Sequence, residues 1–201
     1  MELREALSQI SEIRRQIART EVFRGYRSMT VGFSGVLGLL AAVFQSQWSV
    51  SPQSELRHYL CLWISVAAVS LIVAGAELYW QAHHAGPGLA REMTLLAIEQ
   101  FLPSVVVGAL LTLCIARGSP QVAWMLPGLW SLTFSLGVFA SCRLLPRPVF
   151  WVGVYYLVCG GGCLLWGAEN AFSPWQMAIS FGGGQLLCAT ILYRNLERTN
   201  V

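Results

Sequence analysis

Residues 59–80 read YLCLWISVAAVSLIVAGAELYW, with one carboxylate, Glu77, and no basic side chain. A helix needs ~20 residues to cross a hydrocarbon core ~30 Å thick. The stretch is apolar on every face rather than at alternate positions, which favours a helix over a barrel strand. Five more runs of similar character cover 26–45, 96–116, 122–142, 149–167 and 174–193. Lipid offers no partner to backbone polar groups, so each run must satisfy its own as a helix. The composition agrees, with 55% hydrophobic and 11% charged residues, where a soluble domain carries about 25% charged. The expectation is an all-α integral membrane bundle of six transmembrane helices over residues 26–201, with no second globular domain.

Orientation follows from the arginines, because cytoplasmic loops accumulate them. Arg4, Arg14, Arg15, Arg19, Arg24 and Arg27 precede or open the first run, Arg91 lies between the second and third, Arg143 and Arg147 between the fourth and fifth, and Arg194 and Arg198 after the sixth. The intervening connections hold only Arg57 and Arg117. Six spans with both ends in the cytoplasm fit this alternation, and they divide into three consecutive helical hairpins. Runs four and six are loosely alike, which if real would imply duplicated hairpins. About 25 mixed polar residues come before the first run, so that run is expected to be retained rather than cleaved as a signal. There is no lysine and no aspartate, a bias that points to a GC-rich bacterial genome and hence to the inner membrane. The formal charge of +3 is read as attraction to anionic lipid headgroups, not to nucleic acid.

Residues 1–25 read as a cytoplasmic amphipathic helix. Leu3, Leu7, Ile10 and Ile17 share a face, opposite Glu5, Ser8, Glu12, Arg15 and Arg19. It has three possible seats: the membrane interface, the underside of the bundle, or another copy or protein partner. A second amphipathic piece follows Gly86-Pro87-Gly88, a break between elements. Its apolar side is Leu89, Met93, Leu96 and Ala97, and Pro103 is expected to kink its junction with the third span.

Ionisable groups gather at this cytoplasmic elbow. Glu77 is the most deeply placed acid, and a carboxylate within a span is a candidate for ligand binding or transport. Its alternative is a structural pairing, with Arg27 or Arg91 as partner. Arg91, Glu92 and Glu99 complete the candidate set, and Glu92 and Glu99, seven apart, share a helix face. His83 and His84 stand nearby, yet no His-x-x-x-His, Glu-x-x-His or Cys-x-x-Cys spacing occurs, so neither metal nor cofactor is expected. The six cysteines lie in or at the ends of apolar runs and are expected to be free, buried thiols. Gly32, Gly35 and Gly38 recur along the first run, as small residues do where membrane helices approach closely. Gly160–Gly162 and Gly182–Gly184 lie at comparable distances from the turn at 167–173, so the two triplets are expected to meet.

Two resemblances add to this. Gly32-Phe33-Ser34-Gly35, followed by Gly38-Leu39-Leu40, resembles the Gly-x-Ser-Gly motif of rhomboid intramembrane proteases, and Ala82-His83-His84-Ala85-Gly86 resembles that family's Ala-His-x-x-Gly. The resemblance implies Ser34 as nucleophile and His83 as its base. The chain departs from the family in order: rhomboids carry the serine on the fourth core helix and the histidine within the sixth, with an oxyanion-side His and Asn earlier. Arg19-Thr20-Glu21 through Arg24-Gly25-Tyr26-Arg27-Ser28, with Ala90-Arg91-Glu92-Met93 through Glu99-Gln100-Phe101-Leu102-Pro103, resembles a pattern in bacterial six-helix multi-pass proteins and implies no activity. The sequence therefore favours a non-enzymatic membrane protein that binds lipid, a small molecule or a protein partner in a regulatory or accessory role. A small transporter or channel comes second and an intramembrane serine hydrolase third.

Overall fold

The computed structural model describes residues 28–47, 52–84, 89–142 and 144–197. Among them every regular element is helical: α1 Ser28–Ser46, α2 Pro52–His84, α3 Leu89–Gly118, α4 Leu126–Ser141 and α5 Phe150–Trp166. Residues 174–197 form a sixth helical stretch, α6. In it α-turns at Pro174–Met177 and Gly184–Leu192 alternate with π-turns at Ala178–Gly183 and Tyr193–Glu197. Five helical stretches are long and apolar enough to cross a membrane: Ser28–Ser46, Leu56–Trp80, Ile98–Gly118, Pro120–Ser141 and Arg147–Trp166. Short 3-10 turns with an early proline lead into α4 and α5, where its fixed φ suits a first helical turn. Gly167 ends α5 at φ +79°, a conformation that costs glycine nothing. The amphipathic segment 1–25 and the Gly86-Pro87-Gly88 turn lie outside the described residues.

Helix length modifies the picture of the elbow. α2 has 33 residues and α3 has 30, which at ~1.5 Å per residue gives about 50 and 45 Å, against a core of ~30 Å. The polar ends of both helices are thus direct continuations of the apolar stretches, not separate pieces. Pro103 lies inside α3, since losing one intrahelical bond does not end a helix that its neighbours support.

Packing order follows chain order. α1 sits between α2 and α6, and α5, α4 and α3 continue around the bundle from α6. The ring is loose only between α2 and α3, which touch little. Towards the Ser28 end, Val31, Val138, Val152, Tyr156 and Leu192 form a core against which Phe101, Phe134 and Phe181 pack. Towards the Ser46 end, Ala42, Tyr59, Trp63, Met177 and Ala178 form another, joined by Trp130 and Phe172.

The glycine stripe of α1 faces α6. A Cβ at Gly35 would stand 3.1 Å from the Gly182 carbonyl oxygen, and Gly38 abuts the Gly182 backbone. The expected meeting of the two triplets does not occur. Gly160 packs on Gly128 and Leu132 of α4, and Gly182 on Leu39 of α1. Gly183 and Gly184 face Tyr155 and Tyr156 of α5, while Gly161 and Gly162 have open space beside them. Three successive residues point about 100° apart on a helix, so a triplet cannot offer all its members to one neighbour. The six cysteines are free, but none is buried as expected: Cys61 and Cys114 are exposed and the other four half-buried, because an apolar run also has an outward face.

Candidate functional site

Two hydrogen bonds set α1 against α2. Trp63 Nε1 donates to Gln45 Oε1 at 2.9 Å, and Thr30 Oγ1 donates to a carboxylate oxygen of Glu77. From one bond to the other, α1 is followed back by fifteen residues and α2 forward by fourteen, so the helices run antiparallel with little slip. Gln45 Nε2 also donates to the Phe172 carbonyl at 2.8 Å, which ties this seam to the connection before α6. Glu77 is half-buried and receives a hydroxyl donor from the neighbouring helix, as a polar group in an apolar setting requires. The arginines that sequence suggested for it, Arg27 and Arg91, have side chains outside the described residues. A double-mutant cycle on Thr30→Val and Glu77→Gln, read by unfolding in detergent, is expected to return a coupling of roughly 0.6–1.7 kcal/mol, the range for hydrogen bonds between membrane helices. Additive losses would show that the two side chains do not support each other.

The same register separates Ser34 from His83. Ser34 Oγ donates to the Thr30 carbonyl at 3.2 Å, one turn back on its own helix. His83 is exposed, its ring 4.4 Å from that of Tyr79 and its Nε2 3.4 Å from the Tyr79 hydroxyl. Ser34 lies opposite residues 73–74 of α2, about 14 Å along the helix axis from His83 at 1.5 Å per residue. A serine nucleophile needs its base within ~3 Å, and this fold does not bring the two together. Glu99 is exposed on α3. Arg91 and Glu92 belong to the first turns of α3 and His84 ends α2, but their side chains lie outside the described residues. Among the described residues no three His, Cys or Glu side chains gather.

A line of polar groups inside the bundle escaped the sequence reading, because its members sit within apolar runs. On a plain α-helix, residues four apart drift by about 40°. The wider π-turns at Ala178–Gly183 remove much of that drift, and Gln176, Ser180 and Gly184 all come out buried. Ser180 Oγ donates to the Gln176 carbonyl at 2.7 Å, and Tyr155 OH donates to the Ile179 carbonyl at 2.6 Å within the π segment. The Gln176 amide and the hydroxyls of Tyr59 and Tyr156 are buried without a hydrogen-bond partner among the described residues. Rings fill the space around them. Phe134 lies 4.7 Å from Tyr156 and 5.5 Å from Phe181, and Tyr59 stacks on Trp130 at 6.2 Å.

The loose α2–α3 seam forms a crevice of about 580 Å³ near the Ser46 end. Leu56, Leu60 and Ile64 repeat every fourth residue along one of its walls, Arg57, Cys61 and Ser65 follow one position on, and Ala116 of α3 faces them. Ser65 Oγ is engaged with the Cys61 carbonyl at 2.6 Å, so that wall is largely apolar below Arg57.

No protein-family model, curated protein or solved structure matches the chain.

Proposed function

We propose that this chain is a six-span integral protein of a bacterial inner membrane, with both termini in the cytoplasm, that acts without catalysis. Its role in this reading is regulatory or accessory, through binding of a lipid, a small molecule or a protein partner. Lipid has the most support, and the observation that carries it is the α2–α3 crevice, an open, largely apolar gap whose residues Cys61, Ile64 and Ser65 are exposed. In a bilayer that gap faces acyl chains. The outer surface supports membrane residence: Ile72, Leu110, Leu136 and Val158 are exposed on four different helices, a distribution that would be an aggregation hazard in water. Residues 174–197 supply the sixth crossing, and the arginine alternation supplies the orientation. Residues 1–25 are the proposed contact for a protein partner or a second copy. Native mass spectrometry of the full chain in mild detergent is expected to show co-purified phospholipid. A bare protein carrying neither lipid nor partner overturns the reading.

A small transporter is the second reading. Its specific support is the half-buried Glu77, hydrogen-bonded across a helix seam, together with the π-turns of α6, a frequent feature of functional helices. Against it stand the rings that occupy the bundle at two levels. Proteoliposome flux that is lost in Glu77→Gln would establish transport, and no flux under any imposed gradient would end it. The hydrolase reading has least support, given the separation of Ser34 from His83.

A further inference from the structure

We infer that the α2–α3 crevice is a site for one anionic phospholipid, whose phosphate is held by Arg57 and Arg117 and whose acyl chain lies along Leu56, Leu60 and Ile64. The inference rests on the lipid-binding reading above and names the headgroup and the residues that select it.

Three observations converge. The first is length. The lining of α2 runs from Leu56 to Ser65, nine residue steps or about 14 Å at 1.5 Å per residue. That is close to half of the ~30 Å hydrocarbon core, so the crevice reaches through one leaflet from its edge to the bilayer midplane. The second is shape: the crevice is an open groove of about 580 Å³ rather than an enclosed cavity, room for one chain that keeps part of its surface against other lipid. The third is charge. Thirteen arginines are distributed so that only Arg57 and Arg117 fall on the side that the alternation leaves poor in cations. One of the two lines this crevice and the other is the next residue along α3 after one that does, although sixty residues separate them in sequence. Arg57 lines the crevice at its outer end, and Arg117 follows Ala116, the residue that lines it from α3. Both are exposed and can turn towards a headgroup while their stems cover apolar surface. Guanidinium matches phosphate in geometry as well as charge.

The test uses the full chain in nanodiscs of equimolar phosphatidylglycerol and phosphatidylcholine with identical acyl chains, followed by native mass spectrometry of the lipids retained after release. Wild type is expected to retain phosphatidylglycerol preferentially. The Arg57→Gln/Arg117→Gln variant is expected to lower that preference about 30-fold, given ~1 kcal/mol for each of two basic residues near an anionic surface. Total retained lipid should stay the same in that variant. Ile64→Trp, at a position 48% exposed, should remove one retained lipid by filling the crevice while leaving both arginines in place. No headgroup preference in wild type, or an equal preference in wild type and the double arginine variant, overturns the site while leaving the broader reading intact. Wild type that retains no lipid of either kind overturns both. Thermal unfolding of each variant, matched to wild type, shows that any change reflects binding.

Discussion

Tyr59→Ala is expected to destabilise the bundle by about 3–5 kcal/mol, the usual cost of removing a fully buried ring, whereas Tyr59→Phe is expected to be neutral or stabilising. Tyr59 is 2% exposed. It stacks on Trp130 at 6.2 Å with the planes 5° apart, meets Phe172 at 4.9 Å and Trp63 at 6.3 Å, and so joins α2 to α4 and to the connection before α6. The loss in Tyr59→Ala comes from the ring's burial and dispersion contacts and from the cavity left among three rings. The hydroxyl behaves differently. It is buried without a hydrogen-bond partner among the described residues, and an unmet buried polar group costs about 1–3 kcal/mol. Phenylalanine removes that cost and keeps the ring. Denaturation in mixed micelles gives both values. If Phe lost as much as Ala, the hydroxyl, not the ring, would be holding the helices.

The apolar stretches were legible because lipid imposes length and backbone satisfaction on any chain that crosses it. Five of them are helices capable of crossing. The polar elbow was less legible. Glu77, His83 and Glu99 lie on helices that carry on past the apolar stretches, and polar residues do not stop a helix. What sequence could not supply was the set of neighbours. A helix that is apolar all round shows no preferred face, so Tyr59, Tyr156 and Gln176 looked like ordinary members of their runs. Glycine was the exception on α1, where a three-residue recurrence marked the face turned to α6. The α2–α3 crevice was hidden for another reason. It exists because two helices do not pack, and absence of packing leaves no trace in a uniformly apolar run.

The glycine contact between α4 and α5 yields the other large effect. Gly160→Ala is expected to cost about 1–3 kcal/mol, the range for overpacking a close contact. A Cβ at Gly160 would stand 2.9 Å from the Gly128 carbonyl oxygen, and a Cβ at Gly128 would stand 3.0 Å from that of Gly160. Leucine side chains also crowd these positions, Leu132 at Gly160 and Leu164 at Gly128, but a side chain can rotate and a backbone oxygen cannot. Relief requires α4 and α5 to move apart, and that pair shares one of the two most extensive seams in the bundle. The neighbouring residue supplies the control. Gly161 has nothing within 4 Å of the same added atom, so Gly161→Ala is expected to be neutral or to gain about 0.4–1 kcal/mol by restricting the unfolded chain. The double variant Gly128→Ala/Gly160→Ala should lose less than the two single losses together, because once the helices have separated the second methyl enters space already opened. Unfolding curves for the four variants decide the matter. A Gly160→Ala protein as stable as Gly161→Ala would mean that the α4 and α5 backbones do not approach to this distance.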